Sequence, residues 1–238
     1  MAAATTAGGG RLGIGLGVLS GIGFIGGPLL ARFDVVPPMT GFALFALGGL
    51  LGIVTFLVAL VTAARRGFVA AGPAFVLGLV LSGTFAGVAM PARNVPRIND
   101  ITTDSANPPQ FIVAGTIPAN QGRDMRYPGA DFAQQQQGYY TDLAGLPLNE
   151  PPDAAFQKVV AAARQMPHWE VTRSDQATHT LEGVSTSKWF HFKDDFVIEV
   201  RPRNGGSIVH MRSKSRDGRS DLGINAARIR TFFAKLTG

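Results

Sequence analysis

The sequence contains no cysteine among its 238 residues. A disulfide framework, a thiolate metal site and a cysteine nucleophile are therefore excluded. Charge is also nearly absent from the first 91 residues, which hold 4 of the 22 basic residues and 1 of the 16 acidic ones. A water-soluble domain needs a largely charged and polar surface, so this distribution predicts a membrane region at residues 1–91 followed by a soluble region.

Three long apolar runs occupy the membrane region, at residues 12–30, 42–61 and 68–90. Each has about 20 residues, the length a helix needs to cross a hydrocarbon core about 30 Å thick. None of them contains an ionisable side chain. Transport sites and proton relays place such groups at membrane depth, so the runs predict three transmembrane helices that act as an anchor or a docking surface.

Small residues recur at helical spacing within these runs. Gly13, Gly17 and Gly21 are four residues apart, as are Gly83 and Gly87. Glycines at this spacing form a flat strip on which two helix backbones approach closely. We expect them to pack the three helices together or against a partner helix, although glycine is also common in membrane helices generally.

Basic residues in the short loops predict the orientation of the helices. Arg65 and Arg66 lie in the tight turn between the second and third runs, and Arg11 precedes the first. Short basic loops stay on the cytoplasmic side of a membrane. We therefore expect an integral protein of the cell inner membrane, with its C-terminal domain in the periplasm.

The soluble region divides into a proline-punctuated segment at residues 92–150 and a patterned segment at residues 151–238. The first carries enough aromatic and aliphatic residues to wrap around a core, with a short strand at residues 111–113. The second predicts a helix at residues 154–166, about four antiparallel strands, a turn at residues 193–195 and a final helix from about Asp221 to Leu236, capped by Ser220 or Asp221. This order predicts a two-layer α+β domain whose two helices cover one face of the sheet and leave the other face free.

Two stretches of this region resemble a known family. Residues 97–104 (RINDITTD) with residues 107–111 (NPPQF) resemble the opening signature of the domain-of-unknown-function family 1499, and residues 212–225 (RSKSRDGRSDLGIN) resemble its closing signature. Residues 192–195 are also similar. The resemblance extends from about Asn94 to the C-terminus and leaves out the three apolar runs. It implies membrane attachment, and it assigns no catalytic residue because the family is uncharacterised.

Positive charge concentrates at the end of the chain. From Arg201 onward there are nine basic and two acidic residues. We expect an anionic lipid or an acidic partner protein to bind these arginines, and Arg216 and Arg219 to form an anion-binding turn before the last helix. The alternative is a structural network of arginines and aspartates. The residues predicted for binding are Arg212, Arg216, Arg219, Arg228 and Arg230. Nucleic acid is not an expected partner outside the cytoplasm.

Oxygen-bearing side chains cluster at residues 99–104, but their spacing lacks the glycine turn and closing glutamate of a calcium loop. Such side chains more often cap turns. We therefore predict structural or capping roles and expect no metal and no cofactor. The residues with these predicted roles are Asn99, Asp100, Asp104, Asp217 and Asp221.

No catalytic motif accompanies these features, so the sequence favours a non-enzymatic, membrane-anchored accessory or interaction protein. Its domain would dock on a membrane protein complex or on anionic lipid. The alternative is a module that binds a lipid or a small hydrophobic ligand, suggested by the many aromatic residues of the proline-punctuated segment.

Overall fold

The computed structural model describes residues 8–238 and consists of two compact units. The first unit extends to Asn94 and includes the short segment Lys188–His191. The second unit comprises Val95–Ser187 and Phe192–Gly238.

Three helices form the first unit, and each is long and apolar enough to cross a membrane. They are α1 (Gly8–Arg32), α2 (Pro38–Arg66) and α3 (Phe68–Ala92). Pro38 suits the first turn of α2 because the N–H groups of a first turn have no acceptor within the helix, so proline costs no hydrogen bond there. A single residue, Gly67, separates α2 from α3 and adopts a φ of 83°. The three predicted apolar helices are thus confirmed, each extending slightly beyond its apolar run.

Small residues allow α1 and α2 to approach each other closely. A side chain at Gly48 would collide with the backbone of Ser20 and Phe24, so only glycine fits at this crossing. The Ser20 hydroxyl donates a hydrogen bond of 2.7 Å to the carbonyl oxygen of Gly48. Close backbone contact of this kind is a principal source of helix association where no hydrophobic driving force operates.

The second unit is a mixed α+β domain with one antiparallel sheet. Its elements are β1 (Asp100–Thr102), α4 (Ala130–Tyr139), β2 (Leu146–Leu148), α5 (Pro152–Arg164), β3 (Trp169–Asp175), β4 (Thr180–Thr186), β5 (Lys193–Arg203), β6 (Gly206–Ser215) and α6 (Ile224–Thr237). The strands β3 to β6 form a continuous meander, and the short strands β1 and β2 both pair with the outer edge of β6. Because β1 and β2 occupy the outer edge of β6, this edge is not open to pairing with a strand of another chain.

Helices α5 and α6 pack on one face of the sheet and bury the core. Phe156 of α5, Phe196 of β5 and Phe232 of α6 are essentially inaccessible. The Trp169 ring lies 4.1 Å from the ring centroid of Phe196 and 5.2 Å from that of Phe232. The predicted α+β architecture is therefore confirmed, with a six-stranded sheet in place of about four strands.

Several local predictions were wrong. Residues 193–195 belong to β5, because Asp194 and Asp195 both find buried partners and can therefore lie within a strand. Residues 111–113 form no strand, since the N–H groups of Ile112 and Val113 donate to the Glu182 carboxylate. Helix α6 begins three residues later than predicted, at Ile224. Helix α4 contains four consecutive glutamines at residues 134–137, where no helix was predicted.

The second face of the sheet is covered, contrary to the prediction that it stays free. Residues 109–127, which we call the covering segment, lie across it. They contribute backbone groups and the rings of Phe111 and Tyr127. The reason is chemical: this face carries charged side chains, and buried charges require hydrogen-bond partners, many of which the proline-punctuated segment supplies.

Candidate functional site

Charged side chains gather on the sheet face opposite to α5 and α6. Successive residues of a strand point to opposite faces, so β5 turns Phe196 and Ile198 toward the core and Asp195 toward this second face. The cross-strand register then brings residues of β1, β4 and β6 to the same face. The buried charged residues there are Asp100, Glu182, Asp195, Arg212 and Lys214.

Asp100 of the edge strand β1 and Arg212 of β6 form a fully buried ion pair on this face. The Nε and one terminal nitrogen of Arg212 donate to the two carboxylate oxygens of Asp100, each over 2.8 Å. Lys214 Nζ donates to the same carboxylate over 2.9 Å. This two-pronged geometry is the strongest form of a carboxylate–guanidinium contact.

The remaining donors of Arg212 bind backbone carbonyls of the covering segment. They reach the carbonyl oxygens of Pro109 at 3.2 Å and Met125 at 2.9 Å. The guanidinium carbon lies 4.8 Å from the ring centroid of Phe111 and 5.6 Å from that of Tyr127. Burial, reinforced by the negative charge of Asp100 and opposed by Arg212, raises the pKa of Tyr127 to about 12. Arg212 therefore ties the covering segment to the sheet.

Asp195 forms a second buried cluster on the same face. Its carboxylate accepts hydrogen bonds from Arg216 at 2.6 Å and from the Asn120 side-chain amide at 2.9 Å. Arg123 approaches the same carboxylate at 3.3 Å and also donates to the Ser215 carbonyl at 2.6 Å. The cluster fastens residues 120–123 of the covering segment to the ends of β5 and β6.

Glu182 holds a third point of the covering segment. Its buried carboxylate accepts the backbone N–H groups of Ile112, Val113 and Ala114 over 2.9 to 3.1 Å. These three hydrogen bonds offset the free-energy cost of removing the carboxylate from water.

The beginning of α6 is held by a polar cluster on the helix-covered side of the sheet. Arg228 donates to Asp194 at 2.5 Å and to the Ser213 hydroxyl at 2.8 Å, and it also contacts Asn225. Asp221 accepts the backbone N–H groups of Gly223 and Asn225, each over 2.9 Å. Burial raises the pKa of Asp221 although these two hydrogen bonds oppose the shift.

Another charged group lies near the hairpin end of β5 and β6. Arg201 donates to Asp104 at 2.6 Å and to Glu199 at 2.7 Å. Burial favours a higher pKa for Asp104, but the Asn107 N–H and the Arg201 guanidinium outweigh it, so this pKa lies below its usual value. The pKa of His210 is lowered, mainly by burial and then by the Arg201 charge.

These placements revise the predicted anion site. Arg212 and Arg228 are buried and Arg216 is largely so, and all three are paired with aspartates, so they are not available to an external anion. Arg230 pairs on the surface with Asp142, at 2.6 Å and 2.7 Å. Arg219 is exposed. The structural network is thus the role that the geometry supports for three of the five arginines.

The residues predicted to be structural divide in a similar way. Asp100 and Asp221 are buried, and Asp104 accepts the N–H groups of Ala106 and Asn107 at 3.2 Å and 2.9 Å. The Asn99 side-chain amide donates to the carbonyl oxygen of Gly218 at 2.7 Å, which closes the loop before α6. Asp217 is exposed in that loop.

The five glycines of the predicted packing strips also fall into two groups. Gly13 and Gly17 of α1 face α3, where side chains would collide with Ala74 and Leu77. A Cβ on Gly21, Gly83 or Gly87 would meet no atom of the described residues within 4 Å. Those three glycines therefore play no part in the contacts among α1, α2 and α3.

Several network residues were missed by the sequence reasoning. These are Asn120, Arg123, Glu182, Asp194 and Asp195. The signal available was the placement of charged residues at alternate positions of strands whose other positions are apolar, but an exposed sheet face produces the same pattern.

Two open grooves lie beside these clusters. The larger, about 320 Å³, is lined by residues such as Thr102, Asp104, Gln136 and Tyr140, and the smaller, about 210 Å³, by Asn107, Glu199 and Arg201 among others. Polar residues outnumber apolar ones in both linings. Within residues 8–238, no group of three or more His, Asp or Glu residues is arranged to hold a metal ion.

The model of one protein family, described as "Protein of unknown function (DUF1499)", matches residues 100–236. No curated protein and no solved structure matches the chain. The matched region begins at β1 and ends in α6, so it contains the whole sheet, the covering segment and all the buried ionic clusters.

Proposed function

This chain belongs to the DUF1499 family, and we propose that it is a membrane-anchored, non-enzymatic accessory protein whose extracytoplasmic domain docks on a membrane protein complex. The family itself assigns no activity. The proposal is based on where the small residues of α3 and the exposed basic residues of the second unit lie.

An outward strip on α3 is the observation that carries the proposal. Gly83 and Gly87 lie one turn apart on the exposed side of this helix, and neither contacts α1 or α2 among the described residues. Val76 and Val80 continue the same stripe toward the beginning of the helix and are also exposed. A stripe with glycine at this spacing lets a partner helix approach closely, which is the main source of helix affinity in lipid.

Anionic lipid is a second candidate partner, favoured by a separate observation. Arg97, Lys193 and Arg219 are exposed at one end of the domain. Two hydrogen bonds connect the chain segments that carry them. The Arg216 backbone N–H donates to the Lys193 carbonyl oxygen at 3.1 Å, and the Asn99 side-chain amide donates to the Gly218 carbonyl oxygen at 2.7 Å. A cluster of exposed basic residues attracts anionic headgroups by about 1 kcal/mol for each residue near the surface.

The orientation that we propose uses the arginines at the helix ends. Arg11 precedes most of α1, and Arg65 and Arg66 end α2. With these ends in the cytoplasm, α3 delivers the domain to the periplasmic side. A C-terminal alkaline phosphatase fusion should be active and a C-terminal green fluorescent protein fusion dark; the reverse pattern would contradict the proposal.

A substitution on the outward strip tests docking on a partner. The double variant Gly83→Leu/Gly87→Leu should lose a stoichiometric partner during purification in mild detergent, because the leucines hold the partner backbone away. Gly15→Leu is the matched control, since Gly15 is an exposed glycine of α1 with open space around it. The control should keep the partner at wild-type yield.

Two results would count against partner docking. One is isolation of the wild-type protein as a lone monomer in every mild detergent tried. The other is retention of the partner by the double variant and by the Gly15→Leu control alike. The lipid candidate is tested separately with Arg97→Glu/Arg219→Glu, which should weaken binding to phosphatidylglycerol vesicles and leave partner recovery unchanged.

The ligand-module hypothesis has weaker support. The core between the sheet and helices α5 and α6 is filled by side chains such as Phe156, Phe196 and Phe232. The larger groove has a mainly polar lining, which suits a hydrophobic ligand poorly, and both grooves are open to solvent. Native mass spectrometry of the purified chain checks this hypothesis directly.

A further inference from the structure

The first unit contains a short segment, Lys188–His191, that lies far from the helices in sequence. Polar and aromatic contacts hold it there. One terminal nitrogen of Arg32 donates to the Lys188 carbonyl oxygen at 2.5 Å, and His191 Nδ1 lies 3.2 Å from the Asp34 carboxylate. The Phe190 ring adds an apolar contact of 5.6 Å between its centroid and that of Phe45.

Arg32 and Asp34 lie at the corner between α1 and α2, and Phe45 lies about two turns into α2 from that corner. Helix α1 ends at Arg32 and helix α2 begins at Pro38, and both are candidate membrane spans. The corner between two consecutive spans is the place where the chain leaves the hydrocarbon core and enters the headgroup layer. The segment is therefore held at the depth of the membrane–water interface.

The side chains exposed at this corner are mostly apolar or aromatic. Trp189 is 57% exposed, and Phe33 and Val35 of the corner are 69% and 65% exposed. Lys188 Nζ lies 5.3 Å from the centre of the Trp189 ring. Tryptophan prefers the headgroup layer because its ring is apolar and its N–H is polar, and lysine extends its charge from there toward phosphate.

We propose that Lys188–Trp189 is an interfacial anchor that inserts into the headgroup layer of the bilayer spanned by α1 and α2. The Trp189 ring lies among the glycerol and upper acyl groups, and the Lys188 ammonium binds lipid phosphate. Phe33 and Val35 supply the neighbouring apolar contact with lipid. The inference depends on the three helices spanning a bilayer, and it is independent of any protein partner.

The chain offers a direct test because it has two tryptophans. Trp169 is partly buried and packs against the core of the second unit, so Trp169→Phe leaves Trp189 as the single reporter and Trp189→Phe leaves Trp169 as the matched control. Each full-length variant is reconstituted into phosphatidylcholine–phosphatidylglycerol vesicles that contain lipid brominated either high or low on its acyl chains. Fluorescence quenching is then measured, with aqueous iodide as a second quencher.

We expect bromines near the headgroup to quench Trp189 about two-fold more strongly than bromines near the chain ends, and iodide to quench it weakly. Trp169 should be insensitive to both lipids. If Trp169→Phe does not fold, the difference between wild type and Trp189→Phe gives the same quantity. Quenching of Trp189 by iodide alone, or by neither reagent, would overturn the anchor.

Vesicle flotation of the same preparations separates this inference from the proposed function. Floating protein with an unquenched Trp189 refutes the interfacial anchor alone. Protein that fails to float refutes the membrane attachment on which the anchor and the proposed function both depend.

Discussion

The buried pair Asp100–Arg212 gives the sharpest test of the ionic network. We expect Arg212→Met to destabilise the second unit severely while leaving its fold class intact. Methionine has a similar length and is apolar, so the variant removes the charge and the donors without opening a large cavity. Asp100 would then keep a single buried partner, Lys214, at 2.9 Å.

The size of the effect can be worked from the contacts. Removing one partner of a buried pair costs about 3–5 kcal/mol because the other charge stays buried and uncompensated. Lys214 retains part of the compensation, which lowers the cost, but the carbonyls of Pro109 and Met125 lose their donor, which raises it. We therefore expect the free energy of unfolding to fall by about 4 kcal/mol, equivalent to roughly 10 °C in Tm.

The control is a pair with the same chemistry on the surface. Arg230 makes an equally two-pronged contact with Asp142, but its side chain is 44% exposed. Arg230→Met should cost at most about 1 kcal/mol. Urea unfolding of the full chain, followed by Trp169 fluorescence in a Trp189→Phe background, measures both variants on the same scale.

Comparable losses in the two variants would refute the reasoning. They would mean that burial of Asp100 and Arg212 adds nothing to the cost of separating them.

Three further predictions use other parts of the chain. The pKa of His210 is lower in the folded protein than its ordinary value of 6.5, so the unfolded state binds more protons. The free energy of unfolding should therefore fall as pH drops from about 7 to about 5. His210→Gln should reduce this pH dependence in urea titrations. Glu182→Gln removes a carboxylate that accepts three backbone N–H groups, so amide hydrogen exchange at residues 112–114 should accelerate by at least about ten-fold while α5 keeps its protection. Gly48→Leu should separate α1 from α2 and lower the thermal stability of the detergent-solubilised helices, whereas Gly15→Leu should not, and equal stability of the two would contradict the close crossing.

Several features of the domain could be predicted from the sequence because they depend on local patterns. Apolar residues alternate along β5, and this local pattern is enough to place Phe196, Ile198 and Val200 on the core face, where the structure has them. The hairpin between β5 and β6 was also signalled locally: the chain turns at Asn204 and Gly205, where Gly205 adopts a φ of 78° that favours glycine. Neither feature needs information from distant residues.

The buried network depended on distant residues and was largely missed. The positive charge of the C-terminal stretch suggested an external anion, but Arg212 pairs with an aspartate 112 positions away and Arg123 with one 72 positions away. Charge counting cannot distinguish an arginine that binds a ligand from one that neutralises a buried carboxylate. The distinction requires knowing which side chains share a face and what covers that face.

By itself the sequence determined the three apolar spans, the alternation of the main strands and the family, since each is read from residues close together in the chain. Tertiary structure alone decided that the two signature stretches of the family lie side by side, with Asp100 opposite Lys214 and Thr102 opposite Arg212. It also decided that the proline-punctuated segment covers the charged sheet face. The physical reason is that a carboxylate removed from water must find a donor, and here the fold brings those donors from far along the chain.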